Sequence, residues 1–393
     1  MGSTSRTIGT VAVILAAALP ACGNDGNGPN EPPPGGMLRA AGGGDNVPDR
    51  YTSDLWVHGG YAYTGTWGFR GQSATAGNAV KIWRLDPAGA PELVDSIIVP
   101  DIGTVSDVEV SADGAILLFG AERGGGQGLY LYDVSDPENA VPLDHETVST
   151  GIHTATLADI GGRRYAFAAR NPSNPALLIY DVTDPADITP AATVPVPADY
   201  GIHDTYVRDG LAFVFAWNTG VIIYDVGNGR SGGSPSAPVE VSRLVPSDNG
   251  VPGGPAVHNG WWFHNPVSGE QRYLFLGQEG PGVVGAQASG DIHVLDVSDL
   301  SDPEEVAFFH LDDAGTHNFW MDEERQILYA AYYNGGVIAL DVSGELSGDL
   351  SDRVLGQLHP GGESDTYTWG VQLANGFLYA ADMLSGLWQI EVE

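Results

Sequence analysis

Three observations predict an all-β fold. One short apolar sentence is written seven times along the chain. The runs between its copies are short, β-branched and aromatic, and are broken by Gly, Asn and Asp. Beyond the N-terminus, no segment carries a sustained apolar period of 3.6 residues. A motif copied at a steady interval marks one supersecondary unit repeated. The strand-and-hairpin composition makes that unit a sheet, and the missing helical period removes the alternative.

The strongest copies of the sentence are 129–137 (LYLYDVSDP) and 177–185 (LLIYDVTDP), followed by 221–226, 292–299 and 337–343. Two weaker copies flank them at 80–87 and 387–392. The fourth unit shows the whole pattern. A run at 201–207 ends at the turn Arg208-Asp209-Gly210, and a second at 211–217 ends at Asn218-Thr219-Gly220. The repeat sentence is the third run, and 239–245 is the fourth. Aligning the first runs puts Ser53, Ser106, His153, His203, His258, His317 and Trp369 in register. A four-stranded unit of roughly 40 to 50 residues is a β-propeller blade. The expected architecture is therefore a seven-bladed β-propeller of four-stranded antiparallel blades over residues 51–393. The last unit has only three strands, at 371–374, 377–382 and 387–393. Its open edge would leave backbone groups unpaired. Residues 37–41 are expected to supply the missing strand, so that an N-terminal strand completes the last blade.

The sentence resembles the LVIVD repeat, named for an apolar run ending in Asp, often before a Ser-Asp-Pro-like turn. The resemblance covers roughly residues 51 to 393 and is best at Tyr132–Pro137 and Tyr180–Pro185. The first copy departs from it at Arg84, and in the last Glu391 replaces the Asp. The resemblance implies a propeller in bacterial or archaeal exported proteins and little specific chemistry, since fold does not carry function.

The N-terminus reads as a lipoprotein signal peptide over 1–21. Arg6 precedes an apolar run at 8–19, which is short for a membrane span. The run ends Leu19-Pro20-Ala21-Cys22, similar to the lipobox in which the Cys becomes lipid-modified. Cys22 is the sole cysteine, so it has no internal disulfide partner. Residues 22–50 then form a flexible tether that includes the closing strand. The expected location is the bacterial cell envelope, at the outer membrane or cell surface, held there by the lipid anchor only. A formal net charge of −34 excludes nucleic acid as a partner, because phosphate binding needs clustered Lys and Arg. It also excludes electrostatic adhesion to anionic lipid. A monomer is expected, with a protein, small-molecule or glycan ligand.

The histidine column is the feature able to carry chemistry. His153, His203, His258 and His317 open the first strands of four consecutive units. Those strands line the channel of a propeller, so the four imidazoles are expected to converge near one mouth. Neutral imidazole ligates Zn, Cu or Fe. Asp204, Asn259 and Asn318 follow the histidines and could accept the second ring N–H. The aromatics Trp56, Tyr206, Trp261, Trp320 and Trp369 are candidate ligand platforms. A structural reading competes: a polar residue at this corner can staple neighbouring blades, and a repeat duplicates the staple. The Asp-rich turns lack a 12-residue calcium loop. Residues 124–128 join two strands and are no phosphate cradle, and neither a metalloprotease His-Glu-x-x-His nor a Gly-x-Ser-x-Gly elbow is present. Two function classes remain. One is a binding or scaffolding module acting through its channel face, with no catalytic residue. The other is an exported metalloenzyme, redox or hydrolytic, using the four histidines.

Overall fold

In the computed structural model, the described residues are 37–44, 50–68, 76–171, 174–196, 201–251, 254–280 and 284–393. The expected signal peptide, Cys22 and most of the expected tether lie outside them. The described chain contains seven antiparallel sheets and no α-helix, and is a seven-bladed β-propeller. Blade four is typical: Asp204–Arg208, Leu211–Phe215, Val221–Asp225 and Val239–Leu244 pair in that order, innermost to outermost.

The repeat sentence is the third strand of its blade, and packing explains its continuous apolar run. Each blade is sandwiched between two others, so both faces of its inner strands are buried. Leu178 and Tyr180 pack in the seam with blade two, beside Leu118 and Leu131. Leu177 and Ile179 pack in the seam with blade four, beside Val214 and Ile222. A strand buried on both faces loses the apolar–polar alternation. Seven such seams close the ring, the last joining Leu55 and Trp83 of blade one to Tyr379 and Leu387 of blade seven. Space is tight near the axis: a Cβ on Gly120 would stand 2.7 Å from the Ile152 carbonyl oxygen of the next blade.

The Asp ending the sentence stops the strand. The side chains of Asp133, Asp181, Asp296 and Asp341 each accept the backbone N–H two residues on, at 2.8–3.0 Å. These are Asx turns. In the first copy, Arg84 rather than Asp86 occupies this position: it ends the third strand opposite Tyr61, and it ion-pairs with Glu92 and Glu138.

The N-terminal strand completes the last blade. It runs Leu38–Gly43, slightly further than the expected 37–41, and pairs with Gly386–Val392. Leu38 enters the core between blades six and seven. Blade five carries an extra short strand, Gly348–Asp349, that lies parallel to its outer strand Glu304–Phe309. The connection before blade six's fourth strand thereby covers that edge.

Candidate metal centre

The histidines are aimed at the axis by a β-bulge that recurs at the register position. In blade three, Ala169 accepts from the His153 N–H at 2.9 Å and donates to the Thr154 carbonyl at 2.8 Å. In blade six, Ala331 does the same with His317 and Asn318. The register also shifts between Thr52 and Leu55, Val257 and Asn259, and Thr368 and Gly370. Two residues facing one re-aims side chains that alternation would send to opposite sides. Hence Ser106 and Asp107, His153 and Thr154, His203 and Asp204, and His317 and Asn318 all line one small cavity.

The four imidazoles meet at this end of the channel in an arc that follows chain order. Ring centroids are 4.3 Å apart for His153–His203, 3.7 Å for His203–His258 and 4.1 Å for His258–His317. All four rings are buried. The Nε2 atoms of His153 and His203 are 2.8 Å apart. His153 Nδ1 lies 3.0 Å from Glu122 Oε2, and His317 Nδ1–H donates to the Trp369 carbonyl at 2.6 Å. The outer two histidines are thus oriented by groups of neighbouring blades, leaving their Nε2 atoms turned inward. Glu122 and the Trp369 carbonyl take this role for the outer pair, and the Asn259 side chain stands against the His258 ring. Asp204 instead accepts the Thr205 N–H, Asn318 lines the cavity below the rings, and Asn259 is buried with Oδ1 unpaired.

The inner pair meets a carboxylate that the sequence did not single out. Glu279 Oε2 is 3.8 Å from both His203 Nε2 and His258 Nε2, and ligand atoms of the three residues lie within 4.8 Å of one another. Two donors bound to one ion at about 2.0–2.2 Å cannot be more than about 4.4 Å apart, so small movements suffice. Both ring nitrogens of His258, and Nε2 of His317, are buried without a hydrogen-bond partner. Such orphans are rare and cost about 1–3 kcal/mol each unless something satisfies them. A metal ion would take one nitrogen of His258, with the Asn259 side chain beside the ring, so the donor set fits one. Burial holds the His258 pKa well below its ordinary value and that of His317 at about 3, so both stay neutral, the ligating form.

Glu279 belongs to a second column, two residues past the strand-two partner of each bulge. It contains Trp67, Glu122, Asn171, Trp217, Glu279, Tyr333 and Met383. Trp217 and Tyr333 have φ of 48° and 44°. A left-handed backbone at a bulky residue is strained and is concentrated at functional sites. The turns Asn218-Thr219-Gly220 and Asn334-Gly335-Gly336 that follow keep Trp217 5.0 Å from His203 and Tyr333 4.8 Å from His317. The Tyr333 hydroxyl donates to Glu279. Repeated turns after strand two are the signal from which this column could have been read.

Trp369 belongs to the histidine layer, 4.2 Å from His317 and 4.9 Å from Trp67. The other four candidate aromatics form a separate arc further along the channel. Trp56–Trp320, Trp320–Trp261 and Trp261–Tyr206 are 6.2, 5.2 and 5.2 Å apart. Between the two layers stand Asp54, Asp107 and Asp204. Burial raises all three pKa values, Asp54 well up with Asp107's charge adding to it, and Asp204 to about 8. No protein-family model matches the chain, and no curated protein matches it either.

Proposed function

We propose that this protein is a lipid-anchored, exported β-propeller of the LVIVD-repeat type that binds one transition-metal ion at its channel mouth. His203, His258 and Glu279 hold the ion, and His153 and His317 flank it. The carrying observation is the buried His258, whose ring stands 3.8 Å from the Glu279 carboxylate at Nε2, with no hydrogen bond at that nitrogen, and between the imidazoles of His203 and His317. A mixed imidazole and carboxylate set suits Zn, Cu or Fe. Such an ion would supply Lewis-acid or redox chemistry to a ligand at that mouth. Part of the column also serves as staple: Glu122 on His153, the Trp369 carbonyl on His317 and the Thr154 hydroxyl on the His203 carbonyl each cross a blade seam. Stapling accounts for the outer pair and for the His203 backbone, and leaves the His258 ring beside Glu279 unexplained.

The test is metal content of full-length protein purified without a His-tag, measured by mass spectrometry and after reconstitution with Zn, Cu or Fe. About one equivalent is expected. His203→Ala with His258→Ala should remove it, and Glu279→Gln should weaken it by about 10-fold or more, with circular dichroism unchanged. Because burial holds His258 well below the ordinary imidazole pKa of about 6.5, that ligand should stay in its binding form as pH falls through this value. Stoichiometric metal in the double variant, or none in wild type after reconstitution, would overturn the proposal.

A further inference from the structure

We propose that the opposite mouth of the channel is a second binding site, for a single saccharide ring. The structure has a cavity of about 280 Å³ there, between blades one, two, three and seven. It is close to the lower end of small-molecule sites, about 300 Å³, which suits one ring rather than a long chain. Its walls are of two kinds. Trp56, Val110 and Leu157 are apolar, and Glu109, Asp159 and Arg164 are polar. A pyranose has a matching division, an apolar C–H face and a rim of hydroxyls, and a half-buried indole is the usual partner for such a face.

The polar wall offers no free cation to an anionic ligand. Arg164 is not a free cation: Asp159 holds it through both Nε (3.0 Å) and Nη2 (3.3 Å), and Asp113 sits 3.2 Å from Nη2. One guanidinium between two carboxylates offers an anion no net attraction. The Glu109 carboxyl is fixed by the Thr156 hydroxyl, 2.6 Å from Oε2. Burial pushes it up to about 8, so at neutral pH it is the uncharged acid, able both to donate to and to accept from a hydroxyl. It offers an ammonium ligand no charge either. The site is independent of the metal proposal, because the aromatic arc and the layer of Asp54, Asp107 and Asp204 lie between it and the histidines.

The experiment is calorimetric and tryptophan-fluorescence titration of the full-length protein in detergent. The ligands are glucose, galactose and N-acetylglucosamine with their methyl glycosides, and choline and inorganic phosphate serve as comparators. At least one sugar should bind with a Kd of about 1 mM or tighter. Trp56→Ala and Arg164→Ala should each weaken it about 10-fold or more, while His203→Ala with His258→Ala leaves it unchanged. Arg164 lies at the mouth rim, so its variant reports even if Trp56→Ala fails to fold. Glu109→Gln should keep affinity at pH 7. It should also abolish the pH dependence that wild type shows around pH 8. The proposal fails if no sugar binds at about 10 mM, if both site variants bind as wild type does, if the histidine variant loses the sugar, or if choline or phosphate occupies the site in place of sugars.

Discussion

At the scale of single residues, the repeat Asp shows how one side chain can end a strand in five of the seven copies with unequal energetic weight. Asp133 accepts the Ser135 N–H, and its carboxyl is exposed to water. Asp225 is fully buried and accepts four backbone N–H groups, from Gly227, Asn228, Gly229 and Ser231, at 2.6–3.3 Å. Burial alone would raise its pKa, but the amides of Ser231, Gly227, Gly233 and Gly229 outweigh that and hold it at about 2. Removing it takes away four backbone hydrogen bonds that fix the following turn, each worth about 1 kcal/mol. Asp225→Ala should therefore cost about 2–4 kcal/mol and Asp133→Ala about 1 kcal/mol or less, read from urea midpoints. Because the folded pKa is depressed, the Asp225 contribution is present above the unfolded value near 3.9 and is lost as pH falls toward about 2. Equal midpoints for the two variants at pH 7 would refute this account.

Among elements, two devices matter most. The bulge at the head of the innermost strands turns two consecutive residues toward the axis, so one repeat position yields both an imidazole layer and the polar layer beneath it. The closing strand Leu38–Gly43 does different work. Its hydrogen bonds cover the edge of Gly386–Val392, Leu38 fills the seam between blades six and seven, and Arg39 pairs with Glu391 across the strands. The surface ion pair adds little. The buried leucine and the covered edge carry the effect. Deleting residues 36–42 should cost at least about 2 kcal/mol, the low end for losing a buried Leu, and should expose an aggregation-prone edge. Calorimetry and size-exclusion chromatography would read both. A monomer with an unchanged melting temperature would show that the ring closes without this strand.

For the whole molecule, the two mouths of one channel are chemically unlike. One end gathers imidazoles, Glu122 and Glu279. The other joins an aromatic arc to a cavity with a carboxylate-held arginine. The chain enters the last blade at Leu38, opposite Val392, at the end of that strand pair remote from the histidine layer. A lipid on Cys22, as proposed above, would join the chain ahead of this strand. Cys22→Ser should move the protein from the membrane to the soluble fraction of cells. Equal partition of variant and wild type, with no lipid mass on the wild type, would end the anchoring proposal.

The blade count, strand order within a blade and the N-terminal latch were all legible in the residues, because repetition and turn chemistry are local and a three-stranded last unit demands a partner. The alignment of His153, His203, His258 and His317 was legible for the same reason: equivalent repeat positions face the same axis. The extra length of the closing strand was not, since it depends on a bulge between Ala40 and Gly42. Nor were Glu122 and Glu279, which differ in type from the Trp, Tyr, Asn and Met residues sharing their column. Only the closed ring, by setting blades side by side, brings Glu122 of blade two against His153 of blade three and Glu279 of blade five against His203 of blade four. Which histidines are held by a group of a neighbouring blade was likewise decided by tertiary structure. A repeat specifies where a side chain starts, whereas its partners come from residues dozens of positions away, on blades that meet only when the ring is complete.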